Sequence, residues 1–231
     1  EKLGVAAEDL KDVPDGRGVT DLIRAKTMKQ GGAGYVQPGS GSFPKMAEMN
    51  EFVLQCGALP TMTWLDGCSA GEEAIEELLE VARSTGVVVF NIIPDRNYTP
   101  GTKDQKLTNL QKVVEICKDL NMPLLGGTEM NSPGQKFVDD FDSDELKPMH
   151  PYFLEGSRIL HAHSTLQRHA GMGYLSPWAD DQFASVSAKN EFYARFGEIF
   201  SPRGDEALQN DLSDSLGSGE VISLAERVMT E

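Results

Sequence analysis

The sequence has few cationic residues, few cysteines and no long apolar run. Its 231 residues carry 21 Lys and Arg against 36 Asp and Glu, which gives a formal net charge of −15. This charge would repel a nucleic-acid backbone or an anionic membrane surface, so neither is expected as a partner. No apolar segment approaches the roughly 20 residues that cross a bilayer, and Glu1-Lys2-Leu3-Gly4 lacks the features of a signal peptide. The sequence therefore predicts a soluble protein.

The cysteines do not form an evident disulfide framework. Cys56, Cys68 and Cys117 are odd in number and fall in two predicted helices and one predicted turn. This distribution favours a reducing, cytoplasmic setting.

Nucleotide-binding fingerprints are also missing, because the glycines at 31–34 precede a predicted strand instead of following one.

Strands and helices alternate through the first part of the chain. Apolar segments bounded by turn residues predict four strands, at 34–37, 58–65, 87–93 and 123–128. The helices predicted between them carry apolar residues at helical spacing. This alternation indicates an α/β fold with a parallel sheet, either open or closed into a (β/α) barrel.

The alternation becomes irregular beyond residue 131. A helical hairpin is predicted within 178–200, and a last short helix at 220–229. We therefore expect an N-terminal loop or linker at 1–19, a (β/α) barrel-like domain at 20–175 and a helical C-terminal extension at 176–231.

Polar side chains stand at or near the carboxyl end of each predicted strand. They are Gln37, Asp66, Asn91 with Asp95, and Glu129 with Asn131. In (β/α) barrels these strand ends and the loops after them build the active site. One end of such a barrel would therefore be lined by carboxylates and amides.

Glu129 is the leading candidate for a chemical role. A carboxylate beside an amide at a strand end suits a divalent cation or general-base chemistry near a metal-bound water. The alternative is an ion pair at the rim with Arg96 or Lys136. Asp66 is the next candidate, although Asp66-Gly67 is also a common turn sequence.

The segment after the third predicted strand offers a possible anion site. Arg96 could bind a phosphate or a carboxylate through its planar fork. Alternatively, Asp95 and Asn97 could make side-chain bonds to the backbone around Pro94, as in many turns. The two interpretations are equally compatible with the sequence.

His161 and His163 form an H-x-H pair. On a strand both imidazoles would lie on one face and could chelate a divalent ion, whereas on a helix they would diverge by about 200°. The segment is compatible with either structure. Without a third ligand at a defined spacing, a surface or interdomain role is favoured.

Three segments together resemble the polymerase and histidinol phosphatase (PHP) family of metal-dependent hydrolases. They are residues 32–38, Trp64-Leu65-Asp66-Gly67 and Gly127-Thr128-Glu129-Met130-Asn131. The resemblance covers roughly residues 20–135, and only the Glu129-Met130-Asn131 motif is specific. It implies a distorted (β/α) barrel whose strand ends hold divalent metals for phosphoester hydrolysis, with Glu129 as a metal ligand.

The chain also departs from that family. The family opens with an H-x-H motif, but here no histidine precedes His150, and His161-Ala162-His163 does not match the family's later Asp-x-His motif. The chain is therefore expected to be the C-terminal portion of a TIM-like barrel, with the remaining ligands upstream.

The leading hypothesis is a metal-dependent hydrolase that acts on a small, anionic phosphoester. The expected metal is Zn, Mn or Mg. The sequence is also compatible with a homo-oligomer. The predicted metal ligands are Glu129, Asp95, His161 and His163, and the predicted catalytic residues are Asp66, Asn91 and Arg96. One alternative is a barrel enzyme that isomerises a sugar or sugar acid, and another is a degenerate, non-catalytic barrel scaffold.

Overall fold

The computed structural model describes residues 16–98, 103–129 and 137–230, together with residues 4, 6 and 11. The side chains of Arg17, Asp95 and Tyr98 lie outside this description. Contacts divide the chain into two units, Glu1–Lys45 and Met46–Glu231. None of the described helices is long and apolar enough to cross a membrane.

In the first unit, helix α1 spans Arg17–Thr27. The chain then turns back on the end of this helix, where the Gly34 N–H donates to the carbonyl of Thr27. Residues 35–39 have no regular secondary structure, so the strand predicted at 34–37 is not formed. Gly34 closes the turn at one end of this segment, and Pro38 at the other end lacks the N–H that a strand ladder needs, so the segment cannot extend as a strand in either direction.

The second unit contains a parallel sheet of β1 (Thr61–Trp64), β2 (Val89–Ile92) and β3 (Leu124–Gly126). The spatial order is β1-β2-β3, with Thr63 opposite Asn91 and Asn91 opposite Leu125. Because neighbouring strands are parallel and consecutive, all three carboxyl ends lie at one edge of the sheet.

Two of the helices that connect the strands cover one face of this sheet. Helix α2 (Met46–Gln55) precedes β1, helices α3 (Ala70–Glu73) and α4 (Ile75–Ser84) connect β1 to β2, and α5 (Lys103–Asp119) connects β2 to β3. Apolar side chains of the strands, α4 and α5 form a common core, which includes Trp64, Phe90, Leu79, Leu110 and Val114. This burial explains the nearly continuous apolar sequence of β2.

The remaining described helices are α6 (His150–Ala170), α7 (Pro177–Gln182), α8 (Val186–Ile199), α9 (Asp205–Asp211) and α10 (Ser218–Thr230). They form a second core around Phe196 and Tyr193, together with Val89 from β2. Helix α6 lies directly against β3, since a Cβ atom at Gly156 would overlap the backbone of Leu124. The helices after residue 176 thus share their core with α6 and the sheet.

The predicted α/β class and parallel sheet are confirmed. Of the four predicted strands, the three from β1 to β3 are present among the described residues. Within that part of the chain the sheet is open, with β1 and β3 at its two edges, and a closed barrel is not seen.

Candidate functional site

The candidate site is the strand-end edge, which comprises the carboxyl ends of the three strands and the residues that follow them, 65–69, 93–98 and 127–129. Four of the predicted site residues lie there: Asp66, Asn91, Arg96 and Glu129. Asp95 belongs to the short 3₁₀ helix Pro94–Tyr98 at the same edge, but its side chain and residue Asn131 lie outside the described residues.

Arg96 and Glu129 connect the segments after β2 and β3. Arg96 donates from Nε to Glu129 Oε2 at 2.6 Å, and its Nη2 atom donates to the same oxygen. The side chains are 44% and 29% exposed, respectively. The ion pair that the sequence offered as the alternative to a metal site is therefore present. Such exposed pairs contribute at most about 1 kcal/mol to folding, so each partner can exchange its contact at little cost.

Asp66 is held by groups from two elements. Its Oδ2 atom lies 2.8 Å from Lys106 Nζ of α5, and its Oδ1 atom accepts from the Cys68 N–H at 3.1 Å. Burial alone would raise the pKa of Asp66, but the Lys106 ammonium and the Cys68 N–H together hold that pKa below its ordinary value. Asp66 is therefore kept ionised at neutral pH.

The presence of Lys106 at the strand-end edge was not predicted from the sequence. It is a buried residue on the apolar stripe of α5, together with Leu110 and Val113. Its spacing in the sequence indicates this position, because a residue four before Leu110 falls on the same, buried face of the helix. Its ammonium reaches the strand-end edge, where it also donates to the carbonyl of Arg96 at 3.3 Å.

Asn91 occupies the middle of the edge, on the face of β2 opposite Phe90. Its Nδ2 atom donates to Thr63 Oγ1 of β1 at 3.3 Å. On the other side, a Cβ atom at residue 127 would lie 2.6 Å from Asn91 Oδ1, so a larger residue there would displace the Asn91 amide. The Asn91 amide thus bonds to β1 and lies close to the backbone after β3.

Asn97 fixes the position of the 3₁₀ helix. Its Nδ2 atom donates to the carbonyls of Leu65 and Ile93, both at 3.2 Å. These bonds correspond to the backbone role that the sequence offered as an alternative to anion binding. They hold the Arg96 segment against the end of β1.

The histidine pair does not join this edge. His161 and His163 lie on helix α6, not on a strand, so their side chains diverge. The Nε2 atom of His161 is 3.2 Å from the Phe200 carbonyl, and that of His163 is 3.1 Å from the Gly57 carbonyl. The prediction that the two imidazoles chelate one metal ion is corrected by this geometry.

His163 instead has a structural role. Its Nδ1 atom accepts from the Tyr174 N–H at 3.0 Å, so the imidazole bridges the turn before β1 and the segment after α6. Burial lowers the pKa of His163, and the bond to the Gly57 carbonyl opposes this only in part. The neutral tautomer with the proton on Nε2 satisfies both partners.

The donor set for a divalent metal is incomplete within the described part of the chain. No group of three or more His, Cys, Asp or Glu side chains converges there. Asp66 and Glu129 each face a cationic side chain. The described residues therefore supply single carboxylates at the strand-end edge and do not by themselves make up a metal site.

No protein-family model, curated protein or solved structure matches the sequence.

Proposed function

We propose that the chain takes part in metal-dependent hydrolysis of a phosphoester at the strand-end edge, on a sheet that belongs to a TIM-like barrel. The observation that carries the proposal is the contact between Arg96 and Glu129, which come from the ends of neighbouring parallel strands. A carboxylate suits a divalent cation and a planar guanidinium suits phosphate oxygens. The edge thus brings together the two groups that a metal-bound phosphoester needs.

Each residue at the edge has a separate role in this proposal. Glu129 is a metal ligand, and Asp95, which precedes Arg96 in the sequence, is a second ligand. Arg96 binds the phosphoryl oxygens, while Asp66 and Asn91 orient the water or the substrate. When bound, Zn, Mn or Mg would polarise a phosphoryl oxygen and lower the pKa of a bound water.

The electrostatics of the edge support these roles. Lys106 keeps Asp66 ionised, so Asp66 can accept a hydrogen bond from water at neutral pH. The Arg96–Glu129 pair is exposed and therefore weak, so an anion and a cation can each replace one partner. The further metal ligands that the proposal requires lie outside the set of described carboxylates.

Phosphate release from aryl phosphates, measured with added Mn²⁺ or Zn²⁺, tests the proposal. We expect metal-dependent turnover by the wild type and none by Glu129→Gln. Glu145→Gln is the matched control, because Glu145 is also 29% exposed and also pairs with a cation, Lys103. Equal rates for the two variants would remove Glu129 from the site.

The same preparation separates the alternatives. Aldose–ketose exchange without phosphate release would assign a sugar-isomerase activity to the edge. Absence of both activities and of metal binding would instead assign the chain to the non-catalytic scaffold class.

A further inference from the structure

Helix α1 carries an apolar face that a single copy of the chain leaves exposed. Val19, Leu22 and Ile23 follow the i, i+3 and i+4 spacing that places side chains on one face of a helix. Val19 is 37% exposed and Ile23 is 44% exposed. Removing apolar surface from water is favourable, so this face is suited to packing against another apolar surface.

The same helix is basic, although the chain as a whole has a net charge of −15. Its charged residues are three cations and one acid: Arg17, Arg24, Lys26 and Asp21. Lys26 lies on the apolar face, one turn beyond Ile23. Its methylene stem can follow an apolar surface while its ammonium reaches an acidic group at the border of that surface. A matching partner surface is therefore apolar at its centre and acidic at its rim.

The second unit contains a groove with an apolar floor. The groove lies between α4 and α5, has a volume of about 410 Å³, and is floored by Leu79, Ile116 and Leu120. Leu79 is buried, whereas Ile116 and Leu120 are half-buried. Grooves of this kind receive amphipathic helices, whose anchoring side chains recur at i, i+3, i+4 and i+7. Val19, Leu22, Ile23 and Lys26 have this spacing.

The rim of the groove is acidic. Glu76, Glu80 and Asp119 line it together with a single cation, Arg83, and all four residues are exposed. Glu76 also lies 3.5 Å from Lys112, but the Glu76 side chain is 71% exposed, so this contact is weak and leaves the carboxylate accessible. The rim therefore favours a cationic partner and disfavours an anionic one.

We propose that the groove between α4 and α5 binds helix α1 of a second copy of this chain. Val19 and Ile23 cover the apolar floor, and Lys26 lies at the rim near Glu80. Each copy supplies both surfaces, so two copies can exchange their α1 helices about a twofold axis.

Charge distinguishes α1 from the other helix with an exposed apolar surface. Helix α2 exposes Met49 and Phe52, but its charged residues, Glu48 and Glu51, are both acidic. The acidic rim would repel them. Neither α1 nor the groove includes a residue of the strand-end edge, so association and phosphate release are separate measurements and either proposal can fail without the other.

Sedimentation velocity of the full chain over a range of concentrations tests the proposal. We expect a monomer–dimer equilibrium in the wild type. Because salt screens ion pairs at an exposed rim, the dissociation constant of the dimer should rise by about threefold or more between about 50 mM and about 500 mM NaCl. Glu80→Lys reverses one charge of the rim and should raise that constant by about tenfold or more.

Glu77→Lys is the matched control, because Glu77 is exposed on the same helix but is not among the residues that line the groove. This variant should keep the dissociation constant of the wild type. Lys26→Glu should weaken the dimer, and its combination with Glu80→Lys should recover most of the affinity, since the two charges are then opposite again. A wild type that stays monomeric, equal dissociation constants for Glu77→Lys and Glu80→Lys, or no recovery in the double variant would overturn the proposal.

Discussion

Lys106 and Asp66 form a shielded ion pair at the strand-end edge, with Nζ 2.8 Å from Oδ2. The two side chains are only 10% and 21% exposed. Through its additional bond to the Arg96 carbonyl, Lys106 connects α5 to the segments after β1 and β2. The geometry of the candidate site therefore depends on a residue of the apolar stripe of α5.

Replacement of Lys106 by Met should destabilise the fold strongly. The variant keeps an unbranched apolar side chain but removes the ammonium beside a poorly exposed carboxylate. We expect a loss of about 2–3 kcal/mol in the free energy of unfolding, somewhat less than for a fully buried pair. Urea unfolding at neutral pH measures this loss.

Lys112→Met is the control for Lys106→Met. Lys112 lies on the same helix, 3.5 Å from Glu76, but these side chains are 58% and 71% exposed. We expect a change of about 0.5 kcal/mol or less for this variant. Similar losses in both variants would show that the Lys106 pair has no special structural role.

The stability of the fold should fall as His163 becomes protonated. The pKa of His163 in the folded protein is below the ordinary value of 6.5, so the unfolded chain binds the proton more readily. The free energy of unfolding is therefore at its full value above pH 6.5 and decreases as the pH falls below 6.5. Protonation would also place an N–H against the N–H of Tyr174, which now donates to Nδ1.

Urea unfolding between about pH 7.5 and about pH 5.5 tests this expectation. The midpoint of the wild type should fall over this interval, and that of His163→Gln should fall by a smaller amount. The same pH dependence in both proteins would exclude His163 as its source.

A methyl group at Gly156 should separate α6 from β3. A Cβ atom there would overlap the Leu124 carbonyl, which is backbone and cannot move aside easily. We expect Gly156→Ala to lose about 3 kcal/mol of stability. Gly219→Ala, in α10, has no heavy atom within 4 Å of the added carbon and should be unchanged or more stable by about 0.5 kcal/mol. Equal stabilities by thermal unfolding would contradict the close contact of α6 with the sheet.

The three thiols should react at different rates. Cys56 and Cys68 are exposed, whereas Cys117 is buried. Burial and the Asp66 carboxylate raise the pKa of Cys68, and burial raises the pKa of Cys117 to about 12. Because the thiolate is the nucleophile, iodoacetamide should modify Cys56 first, Cys68 more slowly and Cys117 last. Mass spectrometry of the native protein gives the order, and early modification of Cys117 would contradict the packing of α5.

The sheet was largely predictable because its signals are local. The apolar sequence of β2 and the turn residues after each strand indicate buried parallel strands, and consecutive strand order brings Asp66, Asn91 and Glu129 to one edge. Of the four predicted strands, the one at 34–37 was wrong, since Gly34 closes a turn.

Helix α6 could not be predicted in the same way. Its buried face includes Gly156 and His163, which do not give an apolar pattern. Their roles depend on contacts with Leu124 and Gly57, which are distant in the sequence. For the same reason, the pairing of Lys106 with Asp66 becomes evident only when α5 is placed on the sheet.

Metal binding tests the central claim, that Glu129 belongs to a metal site at the strand-end edge. The measurement is equilibrium dialysis of the wild type, Glu129→Gln and Glu145→Gln against Mn²⁺ or Zn²⁺, followed by metal analysis. We predict that the wild type and Glu145→Gln bind the metal with the same affinity and that Glu129→Gln binds about tenfold or more weakly. Binding by Glu129→Gln equal to that of the wild type, or no binding by the wild type, would contradict the claim.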